Sequence, residues 1–300
     1  MFSHRPQPIA EHEAKGDTAR IYHEIRQTLR VSGVNLNFRT WAGYPTFFPA
    51  MWAAMQPLAA SEAFESASSE LRAHAAELAR TLPALEINAP VGESQRFQIA
   101  RALALYHYIN PKLLLFTVIV RRALQGKPAT DVAIPSVDLG RKVPFGPPPT
   151  MAPMEMVEER PADAEVRRVF RDLQKTLRLA SLNSDYRTLA LWPEYLSPAW
   201  AALKPVVRSD AYRESVATLG REAMRLAHTF PEPHSLHARR LDKRGERVAS
   251  LVETTERFER LLPGLILHIA LWSQSWSPAA DLRQSPYPLT TGDVEPLRGM

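Results

Sequence analysis

The sequence contains no cysteine. That excludes disulfides, thiolate metal ligands, thiol redox cycles and cysteine nucleophiles together. Long apolar runs are also missing. Residues 113–120 form the greasiest stretch, far short of the roughly 20 that span a bilayer, and residues 261–272 are interrupted by Pro263 and His268. The opening MFSHRPQPIAEHEAKGD lacks the apolar segment of a signal peptide. No membrane and a cytoplasmic location are therefore expected. Glycine is sparse, at 12 residues, and builds no phosphate-binding loop, so no nucleotide is implied. No pair of histidines has metal-ligand spacing, so neither metal nor other cofactor is expected. Nothing alternates with period two for long enough to demand a sheet.

Charge is mildly one-sided, with a net +5. The basic residues are interspersed with acids, and the one basic cluster, residues 237–244, reads as a solvated face or turn. No nucleic acid is expected. A weak positive field does suit a small anionic substrate. Chain length and a 45% apolar content suffice for a large helical core, with a homodimer left open.

The chain resembles itself. Shifted by 148 positions, residues 21–83 fall on residues 169–231 without a gap, and 20 of 63 positions are identical. Thr28-Leu29-Arg30 matches Thr176-Leu177-Arg178, Asn35 matches Asn183, Arg39-Thr40 matches Arg187-Thr188, and Trp52-Ala53-Ala54 matches Trp200-Ala201-Ala202. A slightly larger shift pairs Pro111 with Pro263. Fixed-period self-similarity signifies one structural unit used twice. The expected organisation is an N-terminal helical repeat at residues 1–130, a proline-rich linker at 131–162 and a C-terminal helical repeat at 163–300.

Each repeat reads as all-α. Apolar residues recur at helical spacing over residues 19–30 and 166–179. Pro45 and Pro193 suit the first turn of a following helix. Ser61 and Ser209 suit N-caps of long amphipathic helices ending near Pro83 and Pro231. A fourth helix is expected over residues 97–109, with its counterpart at 244–262. Asn110-Pro111 is read as opening a buried fifth helix.

Residues shared by both copies are candidates for scaffold, so polar residues found in one copy only carry more information. Asp185 stands where the first copy has Asn37, Ser184 where it has Leu36, and Asn110 where the second copy has Leu262. Glu65 stands opposite Arg213. Asp185 reads either as a turn or capping carboxylate or as a general base drawing a proton from water. Asn110 reads as an N-cap or as an amide holding that water in line. Ser61 and Glu65 share a helix face, with N-cap and first-turn acid as the plain alternatives. His107 and His268 read as core histidines.

Thr28-Leu29-Arg30-Val31, Asn110-Pro111-Lys112-Leu113-Leu114 and Ser184-Asp185-Tyr186, followed by Leu191-Trp192-Pro193, resemble the D- and DL-acting 2-haloacid dehalogenases. The resemblance implies two pseudo-symmetric helical repeats with the active site at their interface. It implies that Asp185 is the base, that Asn110 fixes a water, and that this water attacks C2 of a short haloacid directly, with inversion and halide release. Ser184 is expected to help hold the substrate carboxylate. Asn183 implies D-selectivity, because members accepting both enantiomers tend to have a small residue there; a repeat-wide turn residue, shared with its twin Asn35, is the plain alternative. Gly33 and Leu36 stand where relatives carry aromatic residues, Thr255 lies near a tyrosine of theirs, and Ser61 replaces a threonine. With Glu65, these residues are the expected substrate-binding set.

Two rivals stand beside this reading. The repeat also resembles the helical unit of alkylhydroperoxidase-like and carboxymuconolactone-decarboxylase-like proteins. Without cysteine the peroxidase chemistry is lost, leaving a decarboxylase or lactone-type enzyme. A non-enzymatic helical binding protein is the third reading, and it requires Asp185 to face solvent.

Overall fold

The computed structural model describes residues 7–126, 138–160, 163–278 and 280–289. Eleven α-helices and three short 3-10 turns account for its regular structure, and the one β-bridge among the described residues joins Ser61 to Lys142. In order, the first five helices are α1 (Gly16–Leu29), α2 (Leu36–Trp41), α3 (Phe47–Ala59), α4 (Glu62–Arg80) and α5 (Glu93–Gln125). The others are α6 (Ala164–Leu177), α7 (Ser184–Leu189), α8 (Pro193–Val207), α9 (Asp210–Ala227), α10 (Ala238–Asp242) and α11 (Val248–Ser273). Helices α1 and α6 each have 14 residues, and α2 and α7 each have six.

The start signals behave as their chemistry dictates. Ser61 Oγ accepts from Phe64 N–H at 3.1 Å and Ser209 Oγ from Tyr212 N–H at 3.2 Å, so both serines cap the helices they precede. Pro193 opens α8, where a missing N–H costs nothing. Pro45 instead lies before Thr46, the N-cap of α3. Both α1 and α6 end in a left-handed arginine, Arg30 at φ 59° and Arg178 at φ 55°.

Two expectations require correction. The expected fourth and fifth helices are a single 33-residue α5, so Asn110 lies in its interior and caps nothing. Likewise residues 248–273 form one helix through Pro263. Proline inside a helix removes one donor and frees the carbonyl four residues earlier. At Pro111 that carbonyl belongs to His107, and Arg72, fully buried, donates to it from Nε at 3.0 Å. A buried guanidinium thus repairs the break that proline makes.

Helices α5 and α11 pack on each other more extensively than any other pair and form the centre of the molecule. An 18-residue window of α5 is apolar enough to cross a membrane, but 94% of it is buried within the protein, as befits a core helix. Of the proline-rich connection, residues 131–137 and 161–162 lie outside the described residues. Residues 138–160 form no helix and are tied to both halves: Val143 N–H donates to Ala60 O, Ser32 Oγ to Ala152 O, and Val157 N–H to Arg187 O.

Candidate active site

Two six-residue helices, α2 and α7, approach α5 and α11 where Asn110 sits. Asn35 and Asn183 are their N-cap residues, yet neither side chain makes a cap hydrogen bond. Asparagine is a strong N-cap former. Here both residues line a small cavity instead.

Asp185, second residue of α7, is 3% exposed. Its Oδ1 accepts from Asn110 Nδ2 at 2.6 Å, a contact between residues 75 apart in sequence. Burial pushes its pKa from 3.8 up to about 6; the bonds from Asn110 and from the aspartate's own backbone pull in the other direction. A carboxylate raised this far from its ordinary range, and ionised above pH 6, is suited to taking a proton near neutrality.

Beside the pair lies a cavity of about 20 Å³, room for one water. Residues 35–37 and 183–185 line it from α2 and α7. Asn110 and Leu113 contribute from α5, and Phe258, Leu262 and Leu265 from α11. Its wall is rich in unanswered polar atoms. Asn35 Oδ1, Asn183 Oδ1, Ser184 Oγ and both amide atoms of Asn37 are buried without a hydrogen-bond partner among the described residues. Buried polar groups are rarely left so, and five around one small cavity mark it as a place for polar occupants.

An open groove of about 1000 Å³ adjoins the cavity, with Leu36, Asn183 and Phe258 as their common wall. Arg39, Arg178, Arg187, Arg257 and Arg260 line the groove, together with Glu11, Glu158, Glu159 and Glu253. Arg39 and Arg187, equivalent positions of α2 and α7, are near enough that burial and then mutual repulsion both lower the Arg39 pKa. Two adjacent guanidiniums at the mouth of a buried site give it a field that attracts anions.

The structure gathers Asp185, Asn110, Ser184, Asn183 and Leu36 around the cavity and leaves four expected residues outside it. Ser61 is occupied at both ends: besides capping α4, it donates to Leu58 O. Glu65 pairs with Lys112 at 2.6 Å inside the core. Thr255 is fully buried, bonded to Leu251 O and to Trp41 Nε1. Gly33 lies against the connecting segment, where a Cβ would stand 2.8 Å from that of Met154, so an aromatic residue there would displace this segment. Asn35, Asn37 and Phe258 were not expected. The alignment of residues 35–37 with residues 183–185 carries the signal for the first two, because a residue twinned with a candidate site position is placed by the same local sequence pattern.

Both central histidines are in the core. His268 lies between Tyr186 and Tyr212, with ring nitrogens 2.8 and 2.7 Å from their hydroxyls, and burial holds its pKa at about 3. His107 Nε2 meets Leu282 O at 2.7 Å, and burial lowers its pKa to about 4. Asp185 is enclosed beside a polar cavity, which contradicts the requirement of the binding-protein reading.

The profile of a family described as "halocarboxylic acid dehydrogenase DehI" matches residues 32–186. An (R)-2-haloacid dehalogenase of Pseudomonas putida is 29% identical over 283 residues, 89% of this chain and 91% of that protein. A configuration-inverting 2-haloacid dehalogenase of Pseudomonas sp. (strain 113) is 25% identical over 300 residues, covering 95% of this chain and 97% of that protein. A solved structure of a D-2-haloacid dehalogenase with L-LA superposes with a TM-score of 0.81 at 27% identity, covering 90% of this chain and 95% of that one. A mutant D-2-haloacid dehalogenase with D-2-CPA gives 0.80 at 26%, with the same coverage.

Proposed function

The chain belongs to the DehI family, and from that membership we propose that it hydrolyses the carbon–halogen bond of short 2-haloalkanoic acids, with Asp185 as base and Asn110 as the amide that orients the attacking water. One observation carries the reading: a raised, fully enclosed carboxylate, held at 2.6 Å by an amide, borders a cavity the size of a water molecule.

The chemistry follows from the atoms present. Asp185 takes a proton as the water oxygen forms its bond to C2, and halide departs with the electron pair of the breaking carbon–halogen bond. Attack opposite the leaving group inverts C2, so D-2-chloropropionate gives L-lactate. No ester to the protein forms. Asn110 holds the carboxylate and, through it, orients the water that Asp185 activates; orientation accounts for a large part of such barriers. Ser184 Oγ, buried and unpartnered, is a donor for the substrate carboxylate. The cavity accommodates a water but not the acid as well. Substrate therefore displaces the wall of Leu36, Asn183 and Phe258 and arrives through the arginine-lined groove.

The two halves are copies of one unit joined by the proline-rich segment, and the site lies between them. Three facts support this organisation: the 148-residue sequence offset, the equal lengths of α1 and α6 and of α2 and α7, and a cavity lined by equivalent positions from each half.

The deciding experiment incubates the protein with each enantiomer of 2-chloropropionate and measures chloride and the configuration of lactate. Release from the D-form, with L-lactate as product, is expected. A single turnover in isotopically labelled water should place the label in lactate. Label in the protein would overturn direct attack, and no halide release from either enantiomer would overturn the function.

A further inference from the structure

Asn37 is buried at 3% exposure, lines the cavity, and is the cavity residue with both amide atoms unpartnered among the described residues. A primary amide offers two donors and two acceptor lone pairs, and burying all of them unanswered is costly. Nothing in its helix requires an asparagine, since it neither caps α2 nor bonds to the backbone of α2. Its position is informative. Five equivalent pairs supply ten of the eleven cavity residues: 35 with 183, 36 with 184, 37 with 185, 110 with 262 and 113 with 265. Such pairing is what a pseudo-two-fold relation between the halves produces. Under that relation residue 37 faces residue 185 across the cavity that both line.

Displacement at a saturated carbon is in line. The nucleophile enters on one side and the leaving group departs on the other. If water is activated at Asp185, the halide emerges opposite, on the α2 side. There the flanking Leu36 is apolar, and the buried unpartnered atom of Asn35 is its amide oxygen, an acceptor. A departing halide needs a donor, and on that side Asn37 Nδ2 is a buried side-chain donor without a partner among the described residues.

We propose that Asn37 is the halide site: its Nδ2 hydrogen-bonds the departing halide as the carbon–halogen bond breaks, so that a duplicated position serves as base in one half and leaving-group donor in the other. This rests on the dehalogenase reading and on the twinned halves.

The test compares Asn37→Ala and Asn37→Ser with the parent on D-2-chloropropionate and D-2-bromopropionate. Chloride, the poorer leaving group and stronger acceptor, depends more on the donor. Asn37→Ala should slow turnover of the chloro acid by about 10- to 100-fold and of the bromo acid by distinctly less. Inhibition by added chloride should weaken in parallel, and the acid limb of the pH profile should stay in place. Asn37→Ser, which keeps a hydroxyl donor, should recover much of the chloro rate and covers the case in which the alanine variant does not fold. Equal slowing of both acids by the folded variants, with chloride inhibition unchanged, would overturn the proposal. Chlorine NMR line broadening by the resting protein separates this idea from the function itself. Broadening lost in Asn37→Ala establishes the halide site whether or not the parent turns over haloacids. Broadening that persists in the variant refutes it.

Discussion

Lys112 and Glu65 form an ion pair of 2.6 Å inside the helical core, two residues along α5 from Asn110. The ammonium also donates to Leu29 O at 3.2 Å and to Tyr108 Oη at 2.6 Å. Burial alone would raise the Glu65 carboxyl, but Lys112, Arg72 and Arg30 together hold it below its ordinary value. Breaking such a pair on one side leaves a buried charge alone. Glu65→Gln should therefore cost roughly 3–5 kcal/mol of stability, while Glu65→Leu combined with Lys112→Met should cost much less. Chemical denaturation of the three variants checks this. Because the folded pKa is lowered, the pair's contribution is present above the ordinary glutamate range and fades as pH falls below it.

Asp185 has the opposite sign. Its folded pKa, about 6, exceeds the ordinary 3.8, so its contribution is most favourable below pH 3.8 and is lost as pH rises through 6. Enclosing the charged form thus costs on the order of 2–3 kcal/mol at pH 8. Asp185→Asn, similar in shape and uncharged, should unfold at equal or higher denaturant than the parent at pH 8, yet lose roughly 10²–10⁴ in turnover. A variant retaining more than a tenth of parent activity would remove Asp185 from the role of base.

As the proposed base, the same carboxylate should set the pH dependence of the reaction. The base must be ionised, and the haloacid is already ionised throughout the accessible range. kcat/KM should fall tenfold per pH unit on the acid side, with a midpoint near 6. An initial-rate profile from pH 4.5 to 9 reads this directly.

Asn183 occupies the wall between groove and cavity. On the D-selective reading, replacing it by alanine removes the amide that excludes an L-substituent. Asn183→Ala should admit L-2-chloropropionate while retaining the D-form. Unchanged enantiomer preference would separate Asn183 from chirality.

Arg39 lines the groove but not the cavity. In the proposed reaction its charge would act on approach rather than on bond breaking. Arg39→Gln should lower kcat/KM several-fold at low salt and flatten its salt dependence, with kcat nearly unchanged. Rates at two ionic strengths distinguish the two effects.

Much of this arrangement was legible in the sequence because both copies obey the same local rules. Ser61 and Ser209 cap their helices, and the contrast between Asp185 and Asn37 pointed to the cavity. The errors have identifiable causes. Pro111 suggested a helix boundary, and only the distant Arg72 reveals how the helix continues through it. Glu65 stands out because its twin is Arg213, and Ser61 because relatives carry threonine there, but Glu65 answers a lysine from another helix and Ser61 caps α4. Gly33 is small because Met154 packs on it. Helices of six residues, such as α2 and α7, are too short for periodicity to define, although they carry the central residues of the site.

A chamber with room for one solvent molecule holds a single charge of reagent. In the proposed mechanism each cycle consumes it, and the displaced halide and hydroxy acid must clear the wall of Leu36, Asn183 and Phe258 before another arrives. Rewetting is thus an obligatory stage of the cycle, sharing its doorway with the outgoing products, and slow departure of either one starves the next round of its nucleophile.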